Sequence, residues 1–141
     1  MVRVLALVTG LLGAGSALMA ADLVRNTAEE GLDAFKWVAR PVVIFADAEA
    51  DPRVAQQLQY LEQETDALLE RDVIIIVDTD PAANGPLRQK LRPRDFMFVL
   101  VGKDGQVKYR KPDPVPVREL MRLIDRMPMR QQEVEAQRSG G

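Results

Sequence analysis

The chain has neither cysteine nor histidine and is poor in aromatic residues. Its 141 residues include 0 Cys and 0 His, and aromatics make up 5%. The missing thiol excludes disulfides, disulfide exchange and peroxide reduction by cysteine. The missing imidazole excludes Cys/His zinc sites and every catalytic dyad or triad that uses histidine as its base. The sequence therefore predicts no cofactor and contains no catalytic residue that can be named.

The first 20 residues have the layout of a signal peptide. Arg3 supplies a positive end, residues 4–12 form an apolar run, and mostly small residues follow up to the first acid, Asp22. A transmembrane anchor is the alternative, but an anchor needs ~20 apolar residues and glycines interrupt this run. We expect removal of residues 1–20, release into the periplasm or secretion without a transmembrane anchor, and a single domain over residues 21–133.

The first half of that domain predicts two buried strands joined by a helix. Residues 42–45 and 72–77 follow the apolar pattern of strands that are buried on both faces. Between them, apolar residues at helical spacing predict one amphipathic helix over residues 52–70, with Asp51 as its N-cap. Strands connected in this way are parallel neighbours in a sheet.

The second half predicts a hairpin and two more helices. A short helix over residues 87–91 precedes a strand over residues 96–101, and an Asp-Gly turn then predicts a hairpin with residues 107–110. A last amphipathic helix ends at Pro128, and residues 134–141 are expected to be a disordered tail. The order β-α-β-α-β-β-α, with a four-stranded mixed sheet, is that of a thioredoxin-like (peroxiredoxin-like) α/β domain.

Four segments of the chain match one family. They are residues 40–46 (RPVVIFA), 69–76 (LERDVIII), 100–108 (LVGKDGQVK) and 123–133 (LIDRMPMRQQE). These segments resemble exported bacterial proteins of unknown function, whose domain also occurs, repeated, in the animal extracellular-matrix protein coiled-coil domain-containing protein 80. The resemblance implies a thioredoxin/peroxiredoxin-like fold and no established activity.

The chain departs from redox members of that fold at two positions. Such enzymes keep a cysteine after the first strand, where this chain has residues 47–51, and a cis-proline just before the third, where it has Arg94 and Asp95. Without a sulfur nucleophile, thiol chemistry has no reacting atom. We therefore expect a non-enzymatic binding or interaction module.

Acidic residues cluster where the first two predicted strands end. The carboxyl ends of parallel strands meet at one edge of a sheet, so these side chains are expected to crowd one rim. They are Asp47, Glu49, Asp51, Asp78 and Asp80. Hard cations such as calcium bind several carboxylate oxygens, so the rim is a candidate metal site. An enzyme with cation-assisted chemistry at this rim is the alternative to a binding module, and a helix cap with solvated acidic neighbours is the plainer interpretation.

Basic residues recur on the last helix and on the hairpin. Residues 81–141 contain 13 basic and 7 acidic residues, whereas residues 22–80 contain 5 and 14. The candidates for binding an anion or a partner are Lys108, Arg110, Arg118, Arg122 and Arg126, with Arg130 as a possible extension. An unknown protein or an anionic envelope component is the expected partner, and nucleic acid is not. A solvated helix face produces the same pattern, so both interpretations stay open.

Two methionines flank the proline that ends the last predicted helix. Met127 and Met129 could form an adaptable turn that docks a partner, because methionine makes flexible apolar contacts. The alternative is that both side chains hold the tail against the sheet.

Overall fold

The computed structural model of the protein describes the backbone of residues 24–25 and all of residues 31–140. The predicted signal peptide, residues 1–20, lies outside these residues. Within them, no helix combines the length and the apolar character needed to cross a bilayer.

A mixed β-sheet forms the centre of the domain, with its strands in the spatial order β1-β3-β2-β4-β5. The strands are β1 (Val24–Arg25), β2 (Arg40–Phe45), β3 (Val73–Asp78), β4 (Met97–Val101) and β5 (Val107–Lys111). β3 is parallel to both β1 and β2, whereas β4 is antiparallel to β2 and to β5. The four longer strands confirm the predicted mixed α/β sheet, and the two-residue β1 adds an edge strand that the apolar pattern did not predict.

Within residues 31–140, five α-helices connect or cover the strands. They are α1 (Pro52–Glu62), α2 (Thr65–Glu70), α3 (Pro86–Leu91), α4 (Val117–Asp125) and α5 (Pro128–Gly140). Short 3-10 helices occur at Asp33–Phe35 and Pro81–Ala83.

The sheet separates two apolar layers, because side chains alternate between its faces. On β2, Val42 and Ile44 belong to the layer covered by α1, α2 and α4. Val43 and Phe45 belong to the opposite layer, which α3 covers. All six residues of β2 are buried, as expected for a central strand, and each fully buried large apolar side chain contributes about 1.5–3 kcal/mol.

The single helix predicted over residues 52–70 is wrong, because the chain breaks into α1 and α2. Glu64 leaves the helical region at φ −137°, and the hydroxyl of Thr65 donates to the carbonyl oxygen of Glu62 at 3.2 Å. Threonine side chains compete in this way with the backbone hydrogen bonds of a helix.

The buried face of α1 includes a glutamine, Gln57. Its amide donates to the carbonyl oxygen of Val115 at 2.9 Å and accepts from the backbone N–H of Val115 at 2.7 Å. Gln57 is fully buried. The side chain therefore satisfies both polar groups of a buried loop residue and ties that loop to α1.

The expected disordered tail is also wrong, since α5 continues through Gly140. Pro128 follows the end of α4 but is the first residue of α5, a position where proline suits a helix. Arg130 and Glu133 on α5 reach Glu70 and Arg40, respectively, at the end of the sheet where β2 and β3 begin. These long-range ion pairs anchor a helix whose sequence is polar throughout.

Candidate functional site

The acidic rim lies at the carboxyl ends of β2 and β3, as the strand order predicted. The backbone N–H of Ala46 donates to the carbonyl oxygen of Asp78 at 3.1 Å, so the two chain ends are adjacent. Among residues 31–140, however, no group of three or more acidic side chains is placed to hold a metal ion. The predicted metal site therefore stays a prediction. Two of its carboxylates are instead engaged by arginines.

Asp78 is engaged by a buried arginine. The Nε of Arg88 on α3 is 3.1 Å from Asp78 Oδ1, and Arg88 Nη2 donates to the carbonyl oxygens of Ala46 and Asp78 at 2.8 and 3.0 Å. The guanidinium also lies 5.4 Å from the centre of the Phe45 ring, within cation–π range. Arg88 thus closes the ends of both strands, and no pattern in the sequence distinguishes it from a solvated arginine.

Asp51 is engaged by a second arginine. Its carboxylate caps α1 by accepting from the backbone N–H of Arg53 at 2.9 Å, and Arg53 Nη2 lies 2.7 Å from its other oxygen. These hydrogen bonds from Arg53 lower the pKa of Asp51. Arg53 also reaches Asp95 at 2.9 Å, which lies just before β4. The N-cap prediction for Asp51 is therefore confirmed.

The other three rim residues do not converge. Asp47 and Glu49 are exposed in the loop after β2. Asp80 accepts from the backbone N–H of Ala83 at 3.3 Å and caps a 3-10 helix. Two arginines that sequence reasoning did not single out, Arg53 and Arg88, therefore engage carboxylates at the edge where β2 and β3 end.

The predicted basic stripe is divided by the turn between α4 and α5. Arg118, Arg122 and Arg126 are exposed and form no ion pair with any residue of the described range 31–140. Arg130 is only 3% exposed and contacts Glu70 and Glu133, so it does not extend the stripe. Because α5 begins at Pro128, between Arg126 and Arg130, the recurrence of arginine at every fourth residue does not continue along one helix.

The two hairpin candidates do not share a face by simple alternation. Arg110 pairs with Val99, which points into the layer under α3, and cross-strand partners share a face. A register shift between Leu100 and Val101 makes Lys108 the extra residue of β5. Lys108 instead pairs with Asp104 at 2.7 Å. A β-bulge therefore interrupts the period of two that a regular strand would have.

A groove of about 450 Å³ opens at the opposite end of the sheet from the acidic rim. It lies between the β4–β5 hairpin and the turn from α4 to α5. Its lining residues are Arg40, Gly102, Lys103, Asp104, Lys108, Leu123, Arg126, Met127, Pro128 and Met129. We call this space the basal groove. Its volume falls in the range of ~300–1,000 Å³ that is common for small-molecule sites.

A buried ion cluster forms one wall of the basal groove. Arg40 is fully buried, and its two terminal nitrogens donate to Glu133 at 3.1 and 3.0 Å. Lys103 Nζ lies 2.7 Å from both Glu133 and Asp72. Burial alone raises the pKa of Glu133, but hydrogen bonds from Arg40 and Lys103, together with their charges, outweigh burial and lower this pKa to about 2. Glu133 is therefore ionised at any physiological pH.

A neighbouring set of ion pairs connects the helices next to this buried ion cluster. Arg130 contacts Glu70 at 3.3 Å and Glu133 at 3.5 Å, and Arg71 donates to both oxygens of Asp125 at 2.8 and 3.1 Å. The hydrogen bonds that Arg71 donates to Asp125 raise the pKa of Arg71. α2, α4 and α5 are thus connected through charged side chains at one end of the sheet.

The four segments that carry the family resemblance meet at this cluster. Residues 40–46 contribute Arg40, residues 69–76 contribute Arg71 and Asp72, and residues 100–108 contribute Lys103 and Lys108. The segment 123–133 supplies the α4–α5 turn and Glu133. Sequence reasoning treated these residues separately. The fact that all of them lie in the four matching segments was the signal that could have grouped them into one site.

The strand order and this site define a mixed α/β domain with no thiol or imidazole chemistry, arginine-capped strand ends and a cationic groove. The chain belongs to the family described as a domain of unknown function (DUF4174), whose family model matches residues 31–133. No curated protein matches the chain.

Proposed function

We propose that the protein is an exported, non-enzymatic binding module with a thioredoxin-like fold, which recognises an anionic component of the cell envelope through the exposed arginines of α4. The signal-peptide layout of residues 1–20 supports export from a bacterial cell. The order of strands and helices supports the thioredoxin-like assignment and a relation to the repeated domain of coiled-coil domain-containing protein 80. The absence of cysteine argues against redox activity.

One observation carries this proposal. Arg118 and Arg122 lie one turn apart on α4, are exposed, and form no ion pair within residues 31–140. By contrast, Arg40, Arg53 and Arg88 are engaged by carboxylates. Exposed cations without intramolecular partners keep their field available for an external anion. The positive charges of Arg118 and Arg122 on α4 are therefore available to an anionic surface.

Vesicle binding tests this role. The protein should co-sediment with vesicles that contain phosphatidylglycerol, not with vesicles of phosphatidylcholine alone, and salt should weaken the interaction because it screens exposed charges. The variant Arg118→Ala/Arg122→Ala should lose most of this binding.

A matched control removes two other exposed positive charges. Lys90 and Arg94 lie on the side of the molecule near α3, and both are exposed. Lys90→Ala/Arg94→Ala should bind these vesicles nearly as well as the unchanged protein. Equal losses in the two double variants would show a nonspecific effect of net charge and would contradict a role for α4.

A further inference from the structure

The charges of the basal groove are almost balanced, with one exception. Its cations are Arg40, Lys103, Lys108 and Arg126. Arg40 and Lys103 share Glu133, Lys103 also contacts Asp72, and Lys108 contacts Asp104. Arg126 forms no ion pair with any residue between 31 and 140. The groove therefore retains about one uncompensated positive charge, which matches a ligand with a single negative charge.

A buried arginine with one donor left unsatisfied within residues 31–140 also lines the groove. Arg40 lines the groove, its side chain is 1% exposed, and its Nε has no hydrogen-bond partner among the described residues. Its other two nitrogens are satisfied by Glu133 and by the carbonyl oxygen of Arg71. Electrostatic interactions are less screened next to such buried groups than at an open surface.

The rest of the groove is apolar and offers few hydrogen bonds. Leu123, Met127, Pro128 and Met129 line it. Their side chains have no strong donor or acceptor, and proline also lacks a backbone N–H. A bound peptide would need partners for its own backbone groups, whereas an alkyl chain would not. Methionine side chains adapt readily to such a chain.

We propose that the basal groove binds a fatty acid, with the carboxylate near Arg126 and the alkyl chain along Leu123, Met127 and Met129. This proposal goes beyond the α4 surface role proposed above, because the basal groove is a separate site that Arg118 and Arg122 do not line. Lys108 lies beside the same opening, and its long apolar stem covers part of the wall.

Isothermal titration calorimetry with dodecanoate, below its micellar concentration, tests the proposal without any vesicle. We expect saturable binding of one dodecanoate per chain. Dodecyltrimethylammonium, which has the same chain and the opposite charge, should not bind, and neither should acetate, which lacks the chain. No saturable heat with dodecanoate, or equal binding of the cationic amphiphile, would overturn the proposal. Tighter binding of the dipeptide acetyl-Leu-Leu than of dodecanoate would also overturn it, in favour of a peptide site.

Two charge reversals at exposed arginines locate the carboxylate. Arg126→Glu should weaken dodecanoate binding by about tenfold, whereas Arg94→Glu, at an arginine that does not line the groove, should change it by less than about twofold. Both residues are exposed, so thermal melting should show that both variants fold, and Arg126→Gln provides a milder change at the same position. Unchanged affinity in both Arg126 variants would refute the assignment.

The outcomes separate this proposal from the vesicle-binding role. If Arg118→Ala/Arg122→Ala abolishes vesicle binding while dodecanoate gives no heat, the groove proposal alone fails. If dodecanoate binds through Arg126 while vesicle binding does not depend on Arg118 and Arg122, the α4 surface role fails and the groove assignment stands.

Discussion

Replacing Glu133 with glutamine tests whether the buried ion cluster holds α5 on the sheet. The carboxylate accepts hydrogen bonds from two nitrogens of Arg40 and from Lys103. Glutamine keeps the side-chain length, but its amide is neutral and has only one acceptor oxygen. Lys103 would keep Asp72, whereas the fully buried Arg40 would lose its carboxylate partner and keep only neutral oxygens, those of the Arg71 carbonyl and of the new amide. The substitution therefore leaves a buried charge without a counterion.

The size of the effect follows from the pKa of Glu133. Its shift from 4.5 to about 2 in the folded protein sets an upper limit of about 3 kcal/mol, because one pKa unit equals ~1.36 kcal/mol. The side chain is 23% exposed, so solvent screening reduces this contribution to roughly 1–2 kcal/mol. Removing one member of a buried ion pair costs ~3–5 kcal/mol when the other stays charged. We expect Glu133→Gln to lower the free energy of unfolding by about 2–3 kcal/mol at pH 7.

The same pKa shift predicts how this difference depends on pH. The pKa of Glu133 is lower in the folded protein than in the unfolded chain, so its ionisation stabilises the fold fully above about pH 4.5. This stabilisation is lost as the pH falls through the folded-state value of about 2. The gap in stability between the unchanged protein and Glu133→Gln should therefore narrow between these two pH values.

Urea denaturation followed by far-UV circular dichroism measures both effects. Glu135→Gln is the matched control, because Glu135 lies on the same helix, is exposed, and forms no ion pair with the described residues. That control should change the free energy of unfolding by less than about 0.5 kcal/mol. A loss below about 1 kcal/mol for Glu133→Gln, or a loss that does not vary with pH, would refute the view that this carboxylate compensates Arg40.

Two further predictions concern the buried glutamine of α1 and the acidic rim. Gln57→Leu should lower the free energy of unfolding by about 1–3 kcal/mol in urea denaturation, because both backbone polar groups of Val115 would lose their partner. Gln59→Leu, at an exposed position of the same helix, serves as the control. Equal losses of stability in the two variants would contradict this account. At the acidic rim, we expect calcium or manganese to leave the melting temperature unchanged, because Arg88 engages Asp78. A saturable rise in melting temperature that Asp47→Asn removes would instead establish a cation site there.

Much of the fold could be predicted because its signals are local. The uniformly apolar residues of β2 and β3, the Asp51 cap and the Asp-Gly turn each depend on neighbouring residues in the sequence. The break between α1 and α2 could not be predicted in this way, because the apolar period continues across it. The β-bulge at Lys108 was missed for the same reason, since alternation predicts an uninterrupted strand.

The candidate site was predicted only in part. Lys108 and Arg126 were singled out as exposed cations, and both line the basal groove. Arg40 and Glu133 appeared only as the first and last residues of two matching segments. The pairing of these two side chains joins residues 93 positions apart, which no local pattern encodes.

The sequence by itself determined what this protein lacks and the order of its elements. Composition excludes thiol and imidazole chemistry wherever the residues lie, and periodicity identifies strands and helices, because both depend on residue types and short spacings. Only the tertiary structure decided which charges are available. Arg88 and Arg40 are buried against carboxylates, whereas Arg118, Arg122 and Arg126 stay exposed. An arginine has the same charge in either setting, and its role is decided by the partners that packing brings to it.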